Sequence, residues 1–210
     1  MTDLSTLTPN QFLLYADDGY DSHVVRLLLE EKEVKYHLVM SPERSELTEL
    51  NPYATLPILA SRELVLYEIG VMFEYFEERL GANKLLPPTP QERAKIRLLA
   101  WRLQQDWLKL GRILLTHPDS FDKQSAIYAK KCLSDSLITL SPLFARTEFF
   151  MSDNFGVCDV WLAPLLWRLP DMGIELPEKH CRPLINYMER VFARPTFKRT
   201  LTIPQEHHHD

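Results

Sequence analysis

The sequence predicts two domains of different class, an α/β domain over residues 11–82 and an all-α domain over residues 93–203, joined by a linker at 83–92. Three observations carry this. The first eighty residues alternate short apolar runs with stretches of helical period, in the order βαβ then ββα. The segment 81–92, GANKLLPPTPQE, holds a glycine that ends one helix and three prolines that block its continuation. Beyond Pro90 every apolar pattern is helical.

Residues 1–10 are polar, contain Pro9 and read as a lead-in. Phe12–Tyr15 is a short apolar run that reads as the first strand. A helix follows to about Glu31, with Asp21 or Ser22 as its cap and Val24, Val25, Leu28 and Leu29 on its buried face. Tyr36, Leu38 and Val39 make a second strand, and a helix between two strands is the crossover expected of parallel neighbours. Ser45–Leu50 forms a short helical turn.

The stretch Asn51–Glu78, NPYATLPILASRELVLYEIGVMFEYFEE, organises the rest. Pro57 cannot donate to a sheet ladder, and the residue before it is pushed out of the helical region. It fits either the first residue of an edge-accessible strand or a cis peptide at a tight bend. Arg62-Glu63 make a turn, Leu64–Leu66 a return strand, and Tyr67-Glu68 open a helix. That helix should bury Val71, Met72, Tyr75 and Phe76, with Glu74, Glu77 and Glu78 on its other side. In the second half one long helix runs from Pro90 to about Thr116, burying Ile96, Leu99, Ala100, Leu103, Trp107, Leu110 and Leu114. Others run from about Phe121 to Leu140, Val157 to Leu169 and Pro183 to Ala193, with a turn at Phe197–Leu201.

At 210 residues with 45% hydrophobic and 25% charged residues, the chain can bury a substantial core. No apolar run approaches a membrane span, and the first twenty residues lack a signal peptide's basic start and apolar middle, so a cytoplasmic protein is expected. Cys132, Cys158 and Cys181 lack metal-ligand spacing and read as reduced structural thiols. Trp101, Trp107, Trp161 and Trp167 read as core or interface packing. His207–His209 with Asp210 could hold a metal, but such a run at a terminus is more often an uninformative tail, so no metal site is assigned. Residues 1–84 carry 7 Lys/Arg against 15 Asp/Glu, net −8, within a chain of net −5. That balance argues against direct nucleic-acid binding and suits an electropositive protein partner.

LPIL followed by ELVLYE resembles the second half of the thioredoxin-like domain in the glutathione S-transferase superfamily. The resemblance implies a cis Pro57, with the backbone of Leu56 facing a binding cleft. FGVCD at 155–159 resembles the superfamily's capping box, with Gly156 in place of the usual hydroxyl residue and Asp159 retained as a structural residue. The blocks SHVVRLLLEEKEV, LNPYATLPIL, EYFEERL and WLAPLLWRLPDMGIEL resemble the stringent starvation protein A family over about residues 12–201. That family comprises bacterial RNA polymerase-associated regulators with the transferase fold.

Enzymes of this fold hold glutathione sulfur near the start of the first helix, where the helix dipole favours a thiolate. In cysteine-bearing relatives the residue lies seven before the helix arginine. Here that position is Gly19, counted from Arg26, with Tyr20 and Ser22 as the nearby substitutes. The Glu/Gln-Ser pair for the glutamyl end becomes Glu68-Ile69, and losing that hydroxyl would cost about 1.5–3 kcal/mol of binding. Tyr20, Ser22, Leu56, Pro57 and Glu68 therefore outline a vestigial cleft with no catalytic residue and no cofactor. The acidic loop Asp17, Asp18, Tyr20 and Asp21, with the turn Gly81, Ala82, Asn83 and Lys84, is the expected partner surface; a merely solvated loop is the alternative. The family's proline- and histidine-rich turn after the third helix is missing from 81–84.

The resemblance implies a regulator bound to RNA polymerase and its principal sigma factor. It also implies a homodimer, or a heterodimer with a related protein. Met72, Phe73, Trp101 and Leu108 exceed what one core stripe needs and would be covered by the second subunit. A glutathione-dependent transferase or reductase using Ser22 or Tyr20, and a purely structural dimer module, are the competing readings.

Overall fold

The computed structural model describes residues 4–115 and 122–201. These fall into two units, one ending at Asn83 and resuming at Pro195, the other running Lys84–Arg194. The first contains β1 (Phe12–Ala16), α1 (Tyr20–Glu31), β2 (Tyr36–Met40), α2 (Arg44–Leu50), β3 (Ile58–Ala60), β4 (Val65–Leu66) and α3 (Ile69–Arg79). The second contains α4 (Pro90–Leu103), α5 (Lys109–Leu115), α6 (Lys123–Leu140), α7 (Val157–Trp167) and α8 (Glu178–Ala193). The chain then returns to the first unit as α9 (Pro195–Leu201). An α/β unit of thioredoxin-like order and an all-α unit, the glutathione S-transferase fold, are thus both present.

The sheet runs β2-β1-β3-β4. β1 pairs parallel with β2, placing Phe12 opposite Tyr36, and antiparallel with β3, placing Leu14 opposite Leu59. All five β1 residues are buried, as an apolar run with neighbours on both edges requires. α1 buries Val24, Val25, Leu28 and Leu29 as expected, and Leu27 as well. It is buried on a further side because α9, expected among the residues of the all-α domain, packs on it. Arg199 Nε donates to Glu30 at 2.6 Å and Thr196 bonds Glu31. The Thr200 hydroxyl gives its proton to the Phe197 carbonyl at 2.6 Å. It can therefore only accept from His23 Nε2, 2.7 Å away, which fixes the proton on that ring nitrogen.

α3 departs from its expected face. Met72, Phe73 and Phe76 are buried, Val71 is exposed, and Glu77 is only 1% exposed. Glu77 meets the ammonium of Lys32, the C-cap of α1, and both side chains are fully buried. Lys32 also donates to the carbonyl of Asn83 at 3.0 Å, so one cation ties α1, α3 and the point where the chain leaves the first unit.

In the second unit the expected long helix is interrupted. A single π turn, Gln104–Leu108, joins α4 to α5 and lets the adjacent Trp107 and Leu108 both face the core, at 3% and 0% exposure. Trp107 Nε1 donates to Ser136 Oγ on α6 at 2.8 Å. Gly111 permits a close approach of α5 to α7, since a Cβ there would lie 2.3 Å from Leu165 Cδ1. α8 begins five residues before the expected Pro183, which is tolerated inside it. Trp107 and Trp161 are core residues, whereas Trp101 and Trp167 are 55% and 42% exposed. The expected helix limits at Thr116 and Phe121, and the His207–His209 tail with Asp210, lie outside the described residues.

Asp159 closes the helical unit. Its Oδ1 accepts from Phe150 N at 2.9 Å and Tyr187 Oη at 2.7 Å, and its Oδ2 from Gly156 N at 2.9 Å. Gly156 is the N-cap of α7 and supplies no side-chain bond, so only the aspartate half of the capping box is present. A Cβ at Gly156 would meet the Leu85 carbonyl at 3.1 Å, a tight contact. Burial pushes the Asp159 carboxyl up to about 6, against the pull of its three donors and the nearby Arg194 charge. Burial also raises the Tyr187 hydroxyl well above its ordinary value, with the Asp159 charge adding to it.

Two outcomes follow for stability. Breaking the buried pair by Lys32→Met or Glu77→Gln should each cost about 3–5 kcal/mol in urea melts, because one buried charge loses its partner. Replacing both by apolar residues should recover most of that loss. A raised folded-state pKa on an acid means that the folded state holds its proton to higher pH than the unfolded chain. Asp159 therefore contributes most below pH 4, and its contribution falls as pH rises towards about 6. The stability gap between the native protein and Asp159→Asn should shrink as pH is raised from 4 to 7. A gap that widens would mean that the three donors outweigh burial.

Candidate functional site

The loop between β1 and α1 is built around Asp17. Its Oδ1 accepts from Gly19 N at 2.9 Å and from Ser22 Oγ at 2.6 Å, while its own N–H donates to Ser22 Oγ at 3.1 Å. Ser22 is fully buried, so its hydroxyl serves this loop and not a cap. Gly19 is the N-cap of α1, and Asp21 and Ser22 lie inside the first turn. A Cβ on Gly19 would approach Asp17 Oδ1 to 2.8 Å, so a side chain at 19 would need the Asp17 carboxylate to shift. Tyr20 is 4% exposed, which corrects its expected place on a partner surface.

The second wall of the expected cleft is the α2–β3 loop. Asn51, wholly buried, donates from Nδ2 to the Thr55 carbonyl and hydroxyl at 2.9 and 3.0 Å and accepts from Tyr53 N at 2.9 Å. This Asx-type folding of the chain leads to a cis Leu56-Pro57 bond ahead of β3. Pro57 is buried and Leu56 half-buried. At the third wall Glu68 is the N-cap of α3 and accepts from Val71 N at 2.8 Å. Gly70 leaves room for that carboxylate, since a Cβ there would lie 3.0 Å from Glu68 Oε2. The helix end that could face an anionic ligand is served by the chain's own carboxylate. Ile69 is buried and offers no hydroxyl.

The two parts of the expected partner surface are not brought together. Asp17, Asp18 and Gly19 are exposed at the N-terminal end of α1. Gly81, Ala82, Asn83 and Lys84 are also exposed, but the Asn83 carbonyl is bonded to Lys32 at the other end of that helix. Twelve helical residues separate those ends, about 18 Å. Lys32 and Asn51 escape sequence reasoning. A lysine after Glu30-Glu31 looks solvated, and only the Asn-Pro pair hints at the folded loop. The three cysteines are free, with Cys158 and Cys181 buried, and burial pushes the Cys158 thiol up to about 12, far from a reactive thiolate. Among the described residues no group of three or more His, Cys, Asp or Glu is placed to hold a metal, and no helix is long and apolar enough to cross a membrane.

Residues 22–79 match the family model for the glutathione S-transferase N-terminal domain. The chain aligns with a glutathione S-transferase domain-containing protein from Marinobacter aquaeolei at TM-score 0.78 and 22% identity, covering 88% of this chain and 99% of that one. Glutathione S-transferase GstB of Escherichia coli is 26% identical over 200 residues, 86% of this chain and 92% of that protein. The stringent starvation protein A homologue of Coxiella burnetii is 39% identical over 184 residues, 86% of each chain. That of Pasteurella multocida is 37% identical over 184 residues, 86% of this chain and 85% of its own. With identity of this order running through both the α/β and the helical unit, the chain belongs to the stringent starvation protein A family, on the glutathione S-transferase fold.

Proposed function

We propose that the protein is a non-enzymatic transcription regulator that associates with RNA polymerase holoenzyme under stress or starvation. The observation that carries this is family membership across nearly the whole chain, read together with a cleft whose polar groups are turned to the chain's own use. Asp17 crowds position 19, Ser22 bonds Asp17, and Glu68 caps α3. The partners are RNA polymerase and its principal sigma factor, and the setting is the cytoplasm. An acidic first unit supports protein contact over nucleic-acid contact.

The working form is a homodimer, with a heterodimer of related chains as the variant arrangement. Met72, Phe73 and Leu108 do not support it, because they are already buried within the chain. Support comes from other residues. Tyr53 is 74% exposed, Val71 50% and Tyr67 40% in the first unit, and Leu98 and Trp101 are 59% and 55% exposed on α4. Apolar surface of this kind in both units calls for a cover. A glutathione-dependent enzyme remains the second reading, favoured by the cis Leu56-Pro57 bond and the likeness to GstB.

One set of measurements separates these readings. Purified protein should be a dimer by light scattering and should retain polymerase with its principal sigma factor at low salt, less so as salt rises. Since Asp17 is a structural anchor, charge reversal belongs at Asp18 and Asp21. Asp18→Lys with Asp21→Lys should slow association and flatten the salt dependence while the dimer stays whole. No retention of polymerase at low salt, with micromolar glutathione binding by calorimetry, would reverse the order of the two readings.

A further inference from the structure

The sheet of the first unit has two unlike edges. β4 is two residues long, whereas β2, at the other end of the order β2-β1-β3-β4, pairs in unbroken register with β1 over five residues. Native sheet edges are ordinarily blunted by shortness, bulges, proline or charge. β2 reads YHLVM, with no bulge, no proline and no Lys, Arg, Asp or Glu. Its backbone direction follows from one bond. Ser41 N donates to the Ala16 carbonyl at 2.9 Å, so residue 41 turns its amide to β1, and by alternation His37 and Val39 do the same. Tyr36, Leu38 and Met40 therefore turn their N–H and C=O groups outward, about 6.6 Å apart. Among the described residues no strand pairs with them there.

A cavity of about 950 Å³ wraps the first half of that edge and is lined by residues from both faces of the sheet. Val39 packs in the cluster of Leu7 and Leu47, so His37 lies on the face of α2, and Thr8 and Gln11 wall the cavity on that side. Tyr36 and Leu38 lie on the opposite face with Phe12 and Leu29, and the Arg199–Glu30 pair closes that side. Both Tyr36 and Leu38 are only half-buried, so apolar surface is left open beside the outward amides. The walls are held by the chain itself. Gln11 Oε1 accepts from Thr8 N at 2.7 Å, Asn10 Oδ1 accepts from Arg79 Nη2 at 2.7 Å, and Val34 N donates to the Leu29 carbonyl at 2.9 Å. A site fixed in this way loses little to ordering when it is filled.

Alternating donors and acceptors with space on both faces of the strand are the complement of one extended backbone, whose side chains point to the two faces in turn. We propose that the β2 edge takes up an extended segment of a partner protein as an antiparallel fifth strand, with apolar side chains against Tyr36 and Leu38 and polar ones beside His37 and Thr8. The walls at residues 8–11 and Arg199 flank the edge on either side, which favours a single strand over the margin of a second folded sheet. The site lies at the C-terminal end of α1, away from Asp18 and Asp21, and does not rest on any association with polymerase. NMR on the full-length protein with a soluble nine-residue peptide, alternating valine with threonine between terminal lysines, tests it. The peptide should shift the Tyr36, Leu38 and Met40 amides and slow their hydrogen exchange, while the His37 and Val39 amides, already turned to β1, keep their rates. In the antiparallel arrangement the valine N–H groups face β2. N-methylation of the valines should therefore weaken binding about tenfold or more, and N-methylation of the threonines should leave it within about twofold. Leu38→Pro, which removes one outward donor and no bond to β1, should weaken the unmodified peptide as valine methylation does. The assignment is overturned by unchanged outward amides, by a valine-methylated peptide that binds as well as the threonine-methylated one, or by unaltered binding to Leu38→Pro. Outward amides that are protected without peptide, increasingly so with protein concentration, would overturn it in favour of a second copy on the edge.

Discussion

The helical unit depends on one buried carboxylate having three donors in reach at once. Asp159 bonds the N-cap amide of its own helix, the amide of Phe150 in the preceding segment and the hydroxyl of Tyr187 on α8, so cap, turn and neighbouring helix share a single acceptor pair. An aspartate desolvated to this degree would be expelled from the core without such partners. Its burial is possible only because the surrounding packing, from Phe144 against Tyr187 to Phe144 against Phe150, brings the donors there. Packing and polar satisfaction therefore depend on each other, and neither half of the unit can be altered alone.

The first unit solves a similar problem with opposite charges. Lys32 and Glu77 have no solvent-exposed side-chain surface, and the desolvation of two ions is recovered only in part by their attraction. What the pair secures is register. A long cation at the end of α1 reaches one carboxylate on α3 and one carbonyl at Asn83, so the two helices and the exit of the chain have one mutual placement that satisfies all three groups. Apolar contacts such as Phe12 against Phe76, edge to face at 5.5 Å, supply the bulk of the cohesion but tolerate sliding more readily.

How much of this was legible in the sequence follows from the range of each interaction. The order of strands and helices could be read because its signals are local: the apolar run at Phe12, the proline at 57, the glycine and prolines of the linker. Helix faces were read well where burial follows the 3.6 period, as on α1, and badly where a charge is buried. Periodicity assigns Glu77 to the wet side, and only a partner 45 residues away makes it a core residue. The π turn was invisible for a related reason, since adjacent Trp107 and Leu108 look like one stripe position too many until the helix is locally rewound to bury both. At the expected cleft, the directions of the side chains were not legible. Nothing in the string DDGYDS states that the serine hydroxyl turns back to Asp17 or that the tyrosine goes inside.

Those directions bear on why the transferase framework persists in this chain. Each group that resembles part of a glutathione site has an intramolecular duty here. Ser22 joins the β1–α1 loop to Asp17, the cis Leu56-Pro57 bond follows a loop folded on Asn51, and the Glu68 carboxylate completes the first turn of α3. A side chain recruited into such bonds is retained for stability whether or not a ligand binds, because removing it leaves a buried or helix-end partner unsatisfied. Their presence is therefore poor support for catalysis. Gly19, crowded by Asp17, has no side chain, and the neighbour of Glu68, Ile69, is buried and apolar. A fold whose polar groups serve as its own internal partners keeps its shape whatever its surfaces bind, so the framework by itself does not fix the function.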